Sequence, residues 1–420
     1  MWFYVQQVLV PHQRAEAAAH GWPRGNLSDL YPRWLGAREL LLHHRDPYSP
    51  EVTREIQSGY YGRPLDPSRA EDPRDQQRFA YPVYVVFVMA PTVGLPFPAA
   101  QTCFRWLLVF LTLASVPLWL RVVRWHASFA VTSILVILTF GSFAVVQGIK
   151  LQQLSLVVNG IMAASAAGIV AGHFALAGFL LAIATFKPQL ALPMAAWLLL
   201  WAVSDWRRRQ VFVWSFGVTI ALLLTASEYV LPGWMGRFRE AVSAYRKYTQ
   251  GASSLLEVLT TPAIGKIMVA VTIVMVAVVG WRLRRVEHGS VAFSAMLALV
   301  LAVTVVIVPS FAPYNQVLLL PAVFLIATSC RGLWRRSWLT RLACAVGALV
   351  VFWPWLASCG LLLASLVLPA DSVQRAWSAP LRNSLFLPVV ALGLLVLCAR
   401  NLLKTSPTVP QDAAQIPLKP

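Results

Sequence analysis

The sequence is short of acidic residues, and of charge in general. Of its 420 residues, 17 are Asp or Glu against 35 Lys or Arg, and charged residues of both signs make up only 12% of the chain. Apolar residues supply 58% and form long blocks with almost no charge inside. This composition excludes an ordinary water-soluble domain and is typical of an integral membrane protein.

Cysteine is also scarce, and its placement excludes a disulfide framework. The five cysteines lie in or beside apolar blocks, where a small buried side chain is the ordinary role: Cys103, Cys330, Cys344, Cys359 and Cys398. A secretory signal peptide is not expected, because the first residues lack a basic start followed by an apolar core and a cleavage site. No internal repeat pairs one half of the chain with the other.

The apolar blocks predict eleven membrane-spanning helices, since a hydrocarbon span needs roughly 20 apolar residues. They cover residues 103–120, 128–146, 154–170, 172–186, 189–203, 211–230, 264–280, 291–308, 315–329, 342–368 and 384–399. Two of them, 172–186 and 189–203, are short enough to be re-entrant or buried in protein. Residues 1–10, MWFYVQQVLV, look like the end of a twelfth helix whose start is missing. The predicted fold is an all-α polytopic membrane protein.

The positions of basic residues predict which ends of these spans face the cytoplasm. Five clusters occupy short connections that fall on one side if every span crosses: Arg121 and Arg124; Arg207 to Arg209; Arg282, Arg284 and Arg285; Arg331, Arg335, Arg336 and Arg341; Arg400 and Lys404. The positive-inside bias makes that side cytoplasmic. The net charge of +18 is thereby explained by topology and by attraction to anionic headgroups, and no nucleic-acid partner is expected.

The longest outer loop is predicted at residues 11–81, between the partial helix 1–10 and the helix bundle 82–403. It holds ten of the seventeen acids together with ten arginines. Loops of this length are usually functional or disordered. Apolar residues at helical spacing from Tyr31 to Leu42 favour an ordered loop. The Pro-rich tail 404–420 is expected to be a disordered cytoplasmic end.

Polar residues gather on the predicted outer side, in the long loop or at the ends of spans. They are Asp29, Gln152, Gln153, Lys187, Glu228, Tyr314 and Asn315. Ionisable groups at the edge of the hydrocarbon region cost a few kcal/mol each, so they are candidate functional groups. Together with the long outer loop and the lack of a soluble domain, they suggest chemistry on a lipid-linked substrate at the outer face.

Five stretches resemble, in order, glycosyltransferase family 87, whose members are polyprenyl-phosphate-sugar-dependent membrane enzymes of the GT-C type. They are SDLYPRWLGARELLLHHRDPYSPE (28–51), FAYPVYVVFVMAP (79–91), LQQLSLVVNGI (151–161), AGFLLAIATFKPQLALPMAAWLLL (177–200) and PYNQVLLLP (313–321). The likeness covers roughly residues 26–330. Gln152 departs from the pattern, because the family usually has Gly there. The outer loops contain no Asp-x-Asp, which argues against the metal-dependent relatives.

The resemblance implies inverting transfer of a hexose, with mannose the expected sugar, from a polyprenyl phosphate donor to a lipid or glycan acceptor. The enzyme would lie in the plasma (inner) membrane with its active site on the outer side, and neither a metal nor a cofactor is expected. Such a transfer needs a base for the acceptor hydroxyl and a stabilised phosphate leaving group. Asp29 is the predicted base, and Lys187 the predicted phosphate partner.

Each of these assignments has a structural alternative. Asp29 could be a first-turn acid of a helix capped by Asn26 or Ser28. Lys187 could be a lysine reaching the membrane interface, and Gln153 could cap its own helix instead of binding the substrate.

The remaining candidates are less specific. Tyr31, Tyr314 and Asn315 are assigned to substrate binding with Gln153, and Glu228 is either a further acid at the substrate or an interfacial group. Asp46, in Arg-Asp-Pro-Tyr, is expected to form a turn. A metal site made of His43, His44 and Asp46 is disfavoured, because adjacent histidines on a helix point in different directions.

Two other classes of protein remain open. A secondary transporter or a flippase for lipid-linked sugars would also be polytopic, although mid-span charges and related halves are typical of transporters. A membrane scaffold is the other alternative, and it would not need Lys187 or a long charge-balanced loop.

Overall fold

The computed structural model describes residues 1–21, 28–66, 68–73, 75–248, 253–308, 312–382 and 384–402. Asn26 and the predicted disordered tail 404–420 lie outside these residues. Within them the secondary structure is entirely helical, which confirms the predicted all-α fold. The amino-terminal part contains α1 (Trp2–Tyr4), a π-helical turn (Val5–Leu9), α2 (Val10–Ala19), α3 (Tyr31–His43), α4 (Pro50–Tyr61), α5 (Val85–Met89) and a 3₁₀ turn (Ala90–Thr92).

A bundle of longer apolar helices follows. Its helices are α6 (Phe97–Val122), α7 (Phe129–Phe140), α8 (Phe143–Lys150), α9 (Leu154–Val170), α10 (Phe174–Ala184), α11 (Pro188–Val203), α12 (Trp206–Val230), α13 (Trp234–Tyr248), α14 (Leu255–Leu259), α15 (Pro262–Arg282), α16 (Val291–Ile307), α17 (Leu320–Trp334), α18 (Trp338–Ala364), α19 (Ala370–Arg375) and α20 (Leu387–Leu402). Two further 3₁₀ turns are Pro313–Leu319 and Ala379–Leu381.

All eleven predicted spans coincide with apolar helices. Five helices in the described part of the chain are long and apolar enough to cross a membrane, and a sixth span is possible if α7 and α8 are counted together. Five more apolar helices, among them α10 and α11, have 10 to 17 residues. The chain is therefore an all-α polytopic membrane protein.

The predicted span 128–146 was wrong in shape, because it is not one straight helix. It is broken between α7 and α8, whose axes differ by 55°. Ser142 begins the second helix by accepting a hydrogen bond from the Val145 backbone N–H at 3.4 Å. Gly141 and Ser142 at the break allow the chain to turn. The first helical stretch also extends past residue 10 to Ala19, because residues 15–19 include several alanines, the best helix formers.

One end of the bundle collects three of the predicted basic clusters, and we call it the basic end. The Arg209 guanidinium donates to the carbonyls of Trp201 at 2.7 Å and Val286 at 3.0 Å. The Ser294 hydroxyl donates to the Val122 carbonyl at 2.5 Å. These bonds join the end of α6, the α11–α12 connection and the α15–α16 connection.

The opposite end holds residues 28–96, which we call the polar segment. Aromatic side chains fix it to itself and to the bundle: Trp34 Nε1 donates to the Thr92 carbonyl at 3.1 Å, and the Tyr84 hydroxyl to the Thr185 carbonyl at 2.9 Å. Ala37, Ile56 and Phe79 belong to the same continuous apolar core as the bundle helices. The predicted ordered helix near Tyr31–Leu42 is present as α3.

Short helix α10 lies very close to α12. A Cβ added at Gly178 would lie 2.5 Å from the Phe212 carbonyl oxygen and 2.9 Å from the Phe216 backbone nitrogen. The Ser215 hydroxyl of α12 donates to the Ala175 carbonyl of α10 at 2.6 Å. Glycine permits this approach, as small residues do at helix interfaces in membranes.

Candidate active site

Asp29 lies just before α3. It is held by a residue of α4 in the polar segment and by residues of the α8–α9 connection in the bundle. Its backbone N–H donates to the Leu151 carbonyl at 3.1 Å. Its carboxylate accepts hydrogen bonds from the Tyr60 hydroxyl, at 3.3 Å, and from the side-chain amide of Gln153. Helix α3 begins at Tyr31 without a side-chain cap and without an acid in its first turn, and the Ser28 hydroxyl accepts the Leu30 N–H, so Asp29 is not the first-turn acid of the structural alternative. The Asp29 carboxylate is therefore directed at groups outside its own helix.

Gln153 precedes α9 but does not cap it with its side chain. The amide binds Asp29 instead, a role that the sequence did not suggest for it. The preceding residue, Gln152, has φ +48°, the left-handed conformation that glycine adopts most easily. Its side chain accepts from Gln101 Nε2 at 3.0 Å and donates to the Ile149 carbonyl at 2.9 Å. Gln152 thus occupies a left-handed turn that glycine would adopt without strain.

Burial raises the pKa of the Asp29 carboxyl above its usual value. Arg33, Lys187, Tyr60 and Gln153 act in the opposite direction, because two cations and two hydrogen-bond donors favour the carboxylate. Burial outweighs them. A carboxylate with a raised pKa is a stronger proton acceptor than one in water, which suits a general base.

Arg33 lies one helical turn after Asp29 and is the first of two cations at the site. Its guanidinium donates to the Asp29 backbone carbonyl and lies 4.7 Å from the centre of the Tyr81 ring. Burial raises the pKa of the Tyr81 hydroxyl, but Lys187 and Arg33 more than offset this and the net shift is downward. Tyr81 therefore faces two positive charges.

Lys187, at the start of α11, is the second cation at the site. It is only 4% exposed, so it does not extend to the membrane interface. Its ammonium donates to the Ser155 hydroxyl at 2.6 Å, and that hydroxyl donates to Asn315 Oδ1 at 2.7 Å. The ammonium also lies 5.3 Å from the centre of the Tyr314 ring. This places a buried cation beside the face of the Tyr314 ring and near enough to Asp29 to interact electrostatically with its carboxylate.

The structure brings together five of the predicted site residues. They are Asp29, Gln153, Lys187, Tyr314 and Asn315. Tyr31 packs its ring against Phe97, with ring centres 4.9 Å apart, and against Gly59. Glu228 is exposed, and its carboxylate accepts the Gly233 N–H at 2.7 Å, which makes it a local turn residue.

Asp46 forms the predicted turn. Its carboxylate accepts the Tyr48 N–H at 2.9 Å and pairs with Arg237 at 3.0 Å. Among the described residues no group of three His, Cys, Asp or Glu side chains could hold a metal ion.

The sequence interpretation missed four side chains of the site: Arg33, Tyr60, Ser155 and Tyr81. Arg33 could have been found, because residues four apart share one face of a helix. Ser155 stands two residues after Gln153, where the helix periodicity of an apolar run gave no reason to choose it. Tyr60 and Tyr81 are positioned by the tertiary fold, and no local signal marks them.

Comparison with known families supports an assignment. The model of glycosyltransferase family 87 matches residues 79–309, more than half of the chain. The match includes Tyr81, Gln153 and Lys187, whereas Asp29 lies outside the matched range. No curated protein and no solved structure shows a significant match. With an all-α polytopic fold and a match over most of its bundle, the chain belongs to glycosyltransferase family 87 and is a membrane glycosyltransferase.

Proposed function

We propose that this protein transfers a hexose, with mannose the first candidate, from a polyprenyl phosphate to a hydroxyl of a lipid or glycan acceptor. The observation that carries the proposal is the half-buried carboxylate of Asp29 beside two cations, Arg33 and Lys187. A base for the acceptor hydroxyl and cations for the leaving phosphate are the two requirements of this transfer.

In the proposed step the acceptor oxygen attacks the anomeric carbon from the face opposite the phosphate. The acceptor hydroxyl loses its proton to the Asp29 carboxylate as the new C–O bond forms. The bond between the anomeric carbon and the phosphate oxygen breaks, and the electron pair leaves with the polyprenyl phosphate. Configuration is inverted, and the transition state resembles an oxocarbenium ion.

Arg33 and Lys187 are the proposed partners of the leaving phosphate. The phosphate gains negative charge as the bond breaks, and cations fixed in a buried site stabilise that change more than mobile ones in water. Ser155 and Asn315 orient Lys187 through the hydrogen-bond chain described above. Gln153 and Tyr60 orient Asp29, while Tyr314 provides a wall for the sugar or phosphate.

A cavity beside the site fits an apolar tail. It has a volume of about 520 Å³ and is lined by residues of α7, α8, α17, α18 and α20. The 3₁₀ turn Pro313–Leu319 separates it from the site: Asn315 bonds to Ser155, while its neighbour Gln316 lines the cavity. Apolar walls such as Val351 and Leu394 suit the isoprenoid chain of a lipid-linked donor.

The site is proposed to face the outside of the plasma membrane. It lies at the end of the bundle opposite the basic end, which the positive-inside bias assigns to the cytoplasm. Donor and acceptor would then both reach the site from the outer leaflet.

The first prediction concerns the base. Purified wild-type protein and Asp29→Asn are assayed for transfer from a panel of radiolabelled polyprenyl phosphate sugars to a membrane lipid extract. The wild type is expected to transfer one sugar, and the variant to lose turnover by about 10²–10⁴-fold, the usual contribution of a general base. Asn keeps the shape and the hydrogen-bond acceptor but cannot take the proton.

Asp371→Asn is the matched control, because Asp371 is exposed and lies outside the site; its activity should equal that of the wild type. Donor binding, measured separately, should survive in Asp29→Asn. Full activity of that variant would reject Asp29 as the base while keeping the enzyme class. Failure of the wild type with every donor, together with movement of a labelled solute or lipid across reconstituted vesicles, would favour a transporter or flippase.

A further inference from the structure

A second cavity lies at the basic end of the bundle, where α6 ends and α7 begins. Its volume is about 480 Å³. Its lining includes cationic and aromatic side chains, those of Arg121, Arg124, Trp125 and His126. The rest of the lining is mainly apolar and is formed by Pro117, Leu120, Ala127, Thr132 and Val170. A cavity lined by both charged and apolar side chains fits an amphiphilic ligand.

The two arginines of this cavity have no partner in the described part of the chain. Neither guanidinium makes a hydrogen bond or an ion pair there, in contrast to Arg209 at the same end, which is bound to two carbonyls. Unpaired guanidinium groups at the membrane interface are ready to bind a phosphate in a forked geometry.

The backbone at Arg124 adopts a conformation that is uncommon for arginine. Helix α6 ends with the Trp125 N–H donating to the Leu120 carbonyl at 2.9 Å and the Arg124 N–H donating to the Arg121 carbonyl at 3.1 Å. In this type of helix end the residue at Arg124 adopts the left-handed conformation, here φ +58°, and glycine is the usual choice. Arginine is strained at this position, and such strain is often found at ligand sites.

We propose that this cavity binds the phosphate headgroup of an anionic phospholipid. Arg121 and Arg124 hold the phosphate, Trp125 lies at the level of the headgroup, and the first part of an acyl chain follows Pro117 and Leu120. Basic pockets between membrane helices on the cytoplasmic side are suited to such lipids. This site is separate from Asp29, so the proposal does not depend on the transfer reaction.

The test compares lipid binding to the delipidated full-length protein by native mass spectrometry, with phosphatidylglycerol and phosphatidylcholine as probes. The test variant combines Arg121→Gln with Arg124→Gly, because glycine suits the backbone at 124. The control variant combines Arg207→Gln with Arg208→Gln, which removes two exposed charges from the same end of the bundle. Each arginine removed from the site should weaken phosphatidylglycerol binding by about fivefold.

The proposal predicts that the test variant loses phosphatidylglycerol binding while the control binds like the wild type, with phosphatidylcholine weak throughout. Thermal unfolding of the single variant Arg124→Gly should occur at or above the wild-type temperature, which separates lost binding from lost folding. Equal losses in both double variants would assign binding to diffuse surface charge and overturn the site. Displacement of the lipid by inorganic phosphate alone would identify a free-phosphate site and overturn the lipid assignment.

Discussion

At the scale of single residues, the two hydrogen bonds to the Asp29 carboxylate tune its basicity. Tyr60 and Gln153 donate to it and so favour its charged form, against a burial that favours the protonated one. In the proposed reaction the base acts only when it is deprotonated, so the proposal makes the pKa of Asp29 the acid limit of activity. These donors therefore widen the working pH range on the acid side.

Tyr60→Phe should move that limit. Removing the donated hydrogen bond raises the pKa of Asp29 further, so the acid limb of the pH profile of kcat/KM should shift to higher pH. Tyr61→Phe is the matched control, because the neighbouring hydroxyl donates to the backbone carbonyl of Asp75 and not to Asp29. A pH profile of Tyr60→Phe that coincides with the wild-type one would contradict this account of Tyr60.

Some site residues could be predicted from the sequence, whereas others are placed at the site only by the tertiary fold. Lys187 is a charge next to apolar blocks, and this unusual placement marks it as a candidate in the sequence alone, whereas Asp29 is marked by the resemblance of residues 28–51 to the family. Tyr60 is an ordinary aromatic residue of an amphipathic helix, and only the packing of α4 against α3 brings its hydroxyl to Asp29. Glu228 satisfied the same charge criterion as Lys187, yet its carboxylate binds its own turn, because charge placement alone does not fix side-chain direction.

At the scale of elements, the composition predicted where helices are but not how they bend. Each of the eleven apolar blocks is helical, because burial of backbone groups in hydrocarbon requires internal hydrogen bonds. The break between α7 and α8 was missed, since the apolar pattern continues through Gly141 and Ser142. Likewise, the close approach of α10 and α12 depends on one glycine that hydropathy does not distinguish.

The substitution Gly178→Ala tests whether the close packing of α10 against α12 matters for stability. The new methyl group would meet the backbone of α12 at Phe212 and Phe216, and backbone cannot move aside as a side chain can. We expect a loss of stability of about 1–3 kcal/mol, as for overpacking of other close-packed interiors. Thermal unfolding in detergent, followed by size-exclusion chromatography, provides the measurement.

Gly217→Ala introduces the same methyl group on α12, where no atom lies within 4 Å. Its unfolding temperature should match or slightly exceed that of the wild type, because alanine is the better helix former. If both variants unfold at the same temperature, the close contact at Gly178 does not limit stability.

At the scale of the whole molecule, the bundle has two chemically different ends. One carries the basic clusters, and the other carries the polar segment with the buried site. Charge bias in short loops predicted this division, and the contacts of Arg209 and Ser294 bring three of the clusters together. The outward orientation of the polar segment is a prediction from the same charge bias.

Cysteine labelling with a membrane-impermeant maleimide tests the orientation. Ser68→Cys, in the polar segment, should react in intact cells, because the segment is expected outside. Glu287→Cys, in the α15–α16 connection at the basic end, should react only after permeabilisation. Wild-type protein, with its five native cysteines, gives the background. The reverse pattern would invert the topology and place the site in the cytoplasm.

The hydrogen bond from the Asp29 N–H to the Leu151 carbonyl has a consequence for how this protein can vary. The acid is held to the bundle by main chain, so the identity of the side chain at position 151 is not needed for that contact. Substitutions there can therefore accumulate without displacing Asp29, provided that the backbone turn through Gln152 is kept. An insertion or deletion of one residue in this turn would instead move the carbonyl away, so the spacing here is constrained more tightly than the residue type.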